Sequence, residues 1–345
     1  MCTRPVQSES FWVSTLSACS AAVRRMLGRD LSSRRAVSLL PVVLTLLACS
    51  GAQDGPSEPI VTPTPTLQRE LLDLPYASVS RAQRLDLFLP ATGAGPFPVL
   101  VWIHGGGWAA GSKNLSPTGI QRQMTARGYA VASVEYRLSG EAKYPAAVLD
   151  VKAAIRFLRA NATRFALNSD RIAVWGSSAG GHLAALVGVT GGVALFDDAT
   201  LGNATQSSRV QAVVDWFGPS ELLQMDADGA AQGCPLFGGV GHDNSNSPEG
   251  LWLGGKPSAL PARAREASPV TWVSTDDAPA LVQHGGIDCT VPTAQGRRFR
   301  DALRTALDTS RVIWIELPNS GHGGPAFESA ANVLVVAAFL DRWLR

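Results

Sequence analysis

Charge is sparse in this 345-residue chain. Asp, Glu, Lys and Arg make up 17% of it, and 30 basic residues face 28 acidic ones, a formal net charge of +2. A nucleic-acid binder would concentrate a strong basic surplus, so the composition points to no nucleic-acid partner. No apolar run approaches the roughly twenty residues that span a bilayer. Cysteine is scarce, five in all. No His, Cys, Asp or Glu cluster has metal-ligand spacing, and neither a G-x-G-x-x-G nor a Walker-type phosphate loop occurs. The expectation is therefore a chain that needs no metal and no cofactor. Disorder is excluded by the 46% hydrophobic content, which is ample for a large core.

The basic residues are not evenly spread. Residues 1–48 hold Arg4, Arg24, Arg25, Arg29, Arg34 and Arg35 against Glu9 and Asp30. The remaining 297 residues thus keep 24 basic and 26 acidic groups, a net −2. After Arg35 comes a thirteen-residue apolar stretch, 36–48, then Cys49. A basic flank, a short apolar run and a small residue before a cut form an export signal. Leu46-Leu47-Ala48-Cys49 resembles the lipobox of bacterial lipoproteins, in which the cysteine is acylated and becomes the first mature residue; an ordinary cleaved signal is the alternative. Ser50 follows, where an Asp would resemble an inner-membrane retention signal, so the resemblance implies the outer membrane of a Gram-negative cell. Met26 is an alternative start. Residues 49–68, rich in Pro and Thr, read as the lipidated cysteine and a stiff tether.

From residue 69 to 345 strand and helix patterns alternate. Strands are expected at 85–89, 99–103, 129–134, 171–175, 210–216, 280–284 and 312–317, several of them continuous apolar runs suited to burial on both faces. Helices are expected at 144–161, 178–189, 292–307 and 326–344. Such alternation predicts an α/β domain with a mainly parallel sheet flanked by helices. Residues 217–275 break the rhythm and read as a polar excursion over the sheet's carboxyl edge.

Two motifs carry chemistry. Trp175-Gly176-Ser177-Ser178-Ala179-Gly180-Gly181 sits between an expected strand and an expected helix, the setting of a nucleophile elbow, with Ser178 at its tip. His104-Gly105-Gly106-Gly107-Trp108 leaves another strand. Three glycines there let peptide N–H groups turn toward a developing negative charge. His322, in Asn319-Ser-Gly-His-Gly-Gly324 after the last strand, is placed to act as a base. Asp288 follows the penultimate strand as the acid. Asp276 and Asp277 are rivals that precede that strand and so lie at its wrong end. The other histidines read as structural: His104 bracing its loop, His182 packed in a helix, His284 at a strand end, and His242 solvated. A calcium site in 226–246 and plain solvated turns are both open readings of that stretch.

The order Ser178, Asp288, His322 and the phrases His104-Gly-Gly-Gly-Trp108, Gly111-Ser-Lys113, Tyr136-Arg-Leu138, Gly176-Ser-Ser-Ala-Gly-Gly-His-Leu183 and Val214-Asp-Trp-Phe-Gly-Pro219 resemble the α/β-hydrolase superfamily. Within it they resemble the HGGGW esterases, which include hormone-sensitive-lipase-like and bifunctional feruloyl/acetyl-xylan esterase-like enzymes. The resemblance implies the α/β-hydrolase fold and a serine esterase acting through an acyl-enzyme on acetyl or feruloyl esters of plant polysaccharide. It also implies an oxyanion hole from the N–H groups of Gly106, Gly107 and Ala179. An amide or formamide hydrolase of kynurenine formamidase type shares the HGGxW loop; export argues against it. A catalytically silent binding module is opposed by the intact residue set.

Cys2, Cys19 and Cys49 belong to the presequence or anchor, which leaves Cys234 and Cys289. In an exported domain they are expected to pair and pin the excursion to the acid loop; two separate buried thiols are the alternative. Trp108, Trp216 and Phe217 stand near carboxyl strand ends, where α/β sheets place ligands, and are candidates for the substrate pocket as well as for core packing.

Overall fold

The computed structural model describes residues 69–116 and 119–345. The expected export signal at 1–48, the expected lipidation site Cys49 and the whole tether to residue 68 lie outside the described residues.

Eight strands form one sheet: β1 (Glu70–Pro75), β2 (Arg84–Phe88), β3 (Phe97–Ile103), β4 (Ala130–Val134), β5 (Leu167–Ser177), β6 (Ala212–Trp216), β7 (Ala280–Gly285) and β8 (Val312–Leu317). Their order is β1-β2-β4-β3-β5-β6-β7-β8. The β1–β2 and β2–β4 pairings are antiparallel and all others parallel. The seven expected strands are all present. β1 was not expected: its residues are mostly exposed, so it shows little of the alternation that marks a half-buried strand.

Side-chain alternation divides the core in two. On one face Val101, Ile103, Val174, Val213 and Val282 pack with helices Ala146–Ala160, Ala179–Val189 and Thr293–Ala306. On the other, Trp102, Trp175, Val214, Trp216 and Leu281 pack with helix Ala330–Leu344. The expected helix at 326–344 is interrupted: Pro325–Glu328 ends at Ser329, whose extended backbone and Oγ, accepting the Asn332 N–H, start the next helix.

The stretch 217–275 is less polar than its composition predicts. Leu222, Met225, Trp252, Leu253, Ala264 and Ala267 are buried. It folds into short helices, among them Met225–Gln232, Pro248–Leu253 and Pro261–Glu266. Its Gly, Pro, Asn and Asp residues make the caps and turns between those helices, and its few large apolar side chains anchor them. Among the described residues no helix is long and apolar enough to cross a membrane.

Candidate active site

β3 lies between β4 and β5, so the chain runs one way across the sheet from β3 to β4 and the other way from β5 onward. The carboxyl ends of β3 and β5 therefore flank a crevice at a topological switch point. Both chemical motifs leave the sheet there.

Ser178 is the first residue after β5 and precedes helix Ala179–Val189. Its φ of 55° and ψ of −125° put a non-glycine residue in a strained conformation, and its N–H donates to the Trp216 carbonyl at 2.8 Å. The turn survives only because its neighbours are small: a Cβ on Gly180 would run into the Ile103 carbonyl oxygen. Ala179 begins the helix, so its N–H has no intrahelical acceptor and points outward at the positive helix end.

The loop after β3 turns through positive φ at Gly106 (110°), Gly107 (58°) and Trp108 (55°). The Gly106 carbonyl accepts from Ala109 and Ala110, which folds the loop back on itself. Among the described residues the N–H groups of Gly106 and Gly107 meet no backbone acceptor. His104 braces this loop. One ring nitrogen lies 2.8 Å from the Gly105 carbonyl and the other 3.2 Å from Glu135 Oε1. Its carbonyl accepts from Tyr136 Oη at 2.9 Å, and the two rings stack. Lys113 bonds Asp73 and Asp86 at 2.9 Å each, tying the far side of the loop to β1 and β2. These contacts account physically for Lys113 in Gly111-Ser-Lys113 and for Tyr136 in Tyr136-Arg-Leu138.

The sequence candidates for acid and base meet at Ser178. His322 Nε2 is 2.8 Å from Ser178 Oγ, and His322 Nδ1 is 2.7 Å from Asp288 Oδ2. Asp288 is fully buried, and its Oδ1 accepts the N–H groups of Thr290 and Val291 at 2.9 and 3.0 Å. Burial pushes this carboxyl up, but the neighbouring His284 and His322 together outweigh burial and hold it well below the usual carboxylate range. His284 is itself fully buried; its Nε2 lies 2.8 Å from the Val291 carbonyl and 3.5 Å from Asp288 Oδ2. Cys289, the next residue, is bonded to Cys234 with a Cα–Cα distance of 5.4 Å, which links the acid loop to the end of helix Met225–Gln232. The rival acids are elsewhere: Asp276 pairs with Arg209, and Asp277 accepts from Ser274. His182 packs behind the site against the Ala267 carbonyl at 2.8 Å. Burial pushes it down to about 4, so it stays neutral.

A cavity of about 360 Å³ opens over Ser178. Trp108 and Phe217 line it; Phe217 also meets the His322 ring edge-on at 4.7 Å. Trp216 does not line it. It is the last residue of β6 and packs in the core on Trp175 and Phe327, its indole N–H donating to Gln283, whereas Phe217, past the strand end at a φ of 45°, reaches the cavity. Trp108 stacks on Trp252 at 4.6 Å, so the excursion is keyed into the loop after β3. His242 also departs from expectation: it is 5% exposed, lines the cavity and bonds Glu249, a residue that no sequence motif singles out. Its N–H and that of Asp243 both donate to Asp226, so Asp226 is a turn former here. Among the described residues no group of three or more His, Cys, Asp or Glu side chains could hold a metal ion.

A family model described as BD-FAE matches residues 85–303, more than half of the chain and most of both motif-bearing halves of the sheet. The chain belongs to the BD-FAE family. Esterase LipC of Mycobacterium tuberculosis is 33% identical over 250 residues, 72% of this chain and 59% of LipC. The chain spans just under three-fifths of the length of LipC and of two further curated Mycobacterium tuberculosis relatives that it matches, LipM and LipQ. Among solved structures, a bifunctional GH43-CE protein of Bacteroides eggerthii superposes with a TM-score of 0.71 at 32% identity, covering 80% of this chain and 35% of that one. A truncated carbohydrate esterase from gut microbiota gives 0.71 at 30%, covering 81% of this chain and 97% of that one. The BD-FAE chain described here thus has the α/β-hydrolase fold, with β2 near one edge as the single strand that runs against the others.

Proposed function

We propose that the protein is a serine carboxylesterase with Ser178 as nucleophile, His322 as base and Asp288 as the acid that orients it. The observation that carries this reading is the unbroken chain Asp288–His322–Ser178, with links of 2.7 and 2.8 Å, beneath a cavity edged by outward-facing N–H groups. His322 takes the Ser178 proton as Oγ attacks the ester carbonyl, and the N–H groups of Gly106, Gly107 and Ala179 receive the oxyanion. Each such donor is worth about 3–4 kcal/mol in the transition state. The imidazolium then protonates the departing alcohol, and water repeats the sequence on the acyl-enzyme. Asp288, ionised and rigidly held, fixes the tautomer that leaves Nε2 free for Ser178.

The names of the relatives support ester hydrolysis, and the two carbohydrate-esterase neighbours support acetyl or feruloyl esters of plant polysaccharide as substrates. Export on a lipid attached to Cys49, to the outer membrane of a Gram-negative cell, belongs to the same proposal and rests on the pattern Leu46-Leu47-Ala48-Cys49. Hydrolysis of short p-nitrophenyl acyl esters tests the chemistry. Ser178→Ala is expected to lower kcat by on the order of 10⁴-fold or more. Equal rates in the two proteins would refute the assignment.

A further inference from the structure

Glu249 is a buried carboxyl that the reaction above does not use. It sits in the first turn of helix Pro248–Leu253, and its side chain is 4% exposed. Oε1 accepts from His242 Nδ1 at 3.0 Å. Oε2 is buried without a protein partner, the only carboxylate oxygen in that state among the described residues. Asp150 shows what a purely structural carboxylate looks like in this fold. It is equally buried, yet Gln83 and Arg137 supply four donors to its two oxygens at 2.7–2.9 Å. An acceptor left unpaired away from water costs about 1–3 kcal/mol, and more when charged. Such a cost persists where a ligand removes it.

The surroundings say what that ligand offers. Glu249 and His242 line the same cavity as Ser178, whose walls are otherwise largely apolar: Trp108, Phe217, Pro219, Phe237, Pro248 and Val291. The pair is held in advance of binding. His242 stacks on Phe237 at 4.6 Å, its N–H donates to Asp226, and its carbonyl accepts from Ser247 Oγ, which in turn caps the Glu249 helix by accepting from Gly250. A fixed carboxylate in the wall of the cavity that Ser178 lines, with one oxygen unpaired, is an arrangement for reading a single donor group on the substrate.

We infer that Glu249, positioned by His242, is a specificity-determining residue whose Oε2 accepts a hydrogen bond from a hydroxyl of the bound ester. This inference rests on the esterase reading and deepens it. The hydroxyl belongs either to the acyl group, as on a phenolic acid, or to the alcohol, as on a partly acylated sugar. Esters that lack it leave Oε2 unpaired and react more slowly, because a site built for a hydroxyl rejects the analogue without one.

The test is a comparison of kcat/KM within matched pairs. Methyl 4-hydroxycinnamate against methyl cinnamate probes the acyl side. A monoacetylated methyl xyloside against its deoxy analogue probes the alcohol side. The wild-type protein is expected to favour the hydroxylated member of one pair at least tenfold, and the pair concerned identifies the source. In Glu249→Met that ratio is expected to fall to within about twofold of unity. Ratios near unity for both pairs in the wild-type protein would overturn the inference and leave the esterase reading standing, as would a preference that survives in Glu249→Met. Wild-type protein that cleaves no ester at all, p-nitrophenyl acetate included, would instead defeat the esterase reading on which the inference rests.

Discussion

Ser178 bears the strain of the elbow and Asp288 the order of the site. The aspartate is fully buried, receives two backbone N–H groups and faces two histidines. Replacing it by Asn keeps the shape but offers His322 Nδ1 an amide, which favours the wrong tautomer. Asp288→Asn should cut kcat by about 10⁴-fold with little change in KM, measured on p-nitrophenyl acetate. Asp215, under the same sheet edge, behaves oppositely. Burial raises it from 3.8 to about 6, against the opposing influence of His284 and the Gly218 N–H. Its contribution to stability is complete below pH 3.8 and disappears as pH rises through about 6. In urea unfolding, Asp215→Asn should therefore lose less stability than wild type between pH 4 and 7, by up to about 3 kcal/mol. Parallel profiles would contradict this. Ser178, Asp288 and His322 were legible in the sequence because each sits in a local pattern whose place in the fold is constrained. Glu249 was not. Ser247-Pro248-Glu249 reads only as a helix start, and nothing local says that this helix docks on the oxyanion loop.

Among the elements, the excursion is the one that composition misjudged. Its turn residues dominate the count, while a few buried apolar side chains, Trp252 the largest, and the disulfide-bonded Cys234 do the anchoring. Trp252 is fully buried, stacked on Trp108 and edge-on to Tyr144. Trp252→Ala should cost about 3–5 kcal/mol in global stability and loosen the oxyanion loop, seen as a lower kcat as well as a lower midpoint. Cys234 and Cys289 tie the excursion to the acid loop. Cys289→Ser should lower stability by about 2–5 kcal/mol, and reductant should shift the wild-type melting midpoint in the same direction. A wild-type midpoint insensitive to reductant would contradict that role. The central strands were legible because burial on both faces leaves continuous apolar runs such as Phe97–Ile103. β1 was not, because an edge strand with mostly exposed residues carries no such run. For Trp216 and Phe217 the sequence left pocket and core equally open: both stand at the end of β6, and only the positive φ of Phe217, just past the strand, turns that residue toward the cavity while Trp216 stays in the core.

For the whole molecule, the charge is unevenly divided along the chain. The six arginines of residues 1–48 account for the apparent basicity, and the remaining chain is mildly acidic. Attachment to a membrane is thus expected to depend on Cys49 rather than on charge. Cys49→Ser should move the protein from the detergent phase to the aqueous phase in a partition experiment, with salt having no such effect. The central claim is narrower: Ser178 is made nucleophilic by His322 and Asp288. A fluorophosphonate reacts covalently with such a serine, and peptide mass mapping locates the adduct. The account predicts one adduct per chain, on Ser178, formed quickly in the wild-type protein and lost in His322→Ala. No adduct, or one on the adjacent Ser177, would contradict it.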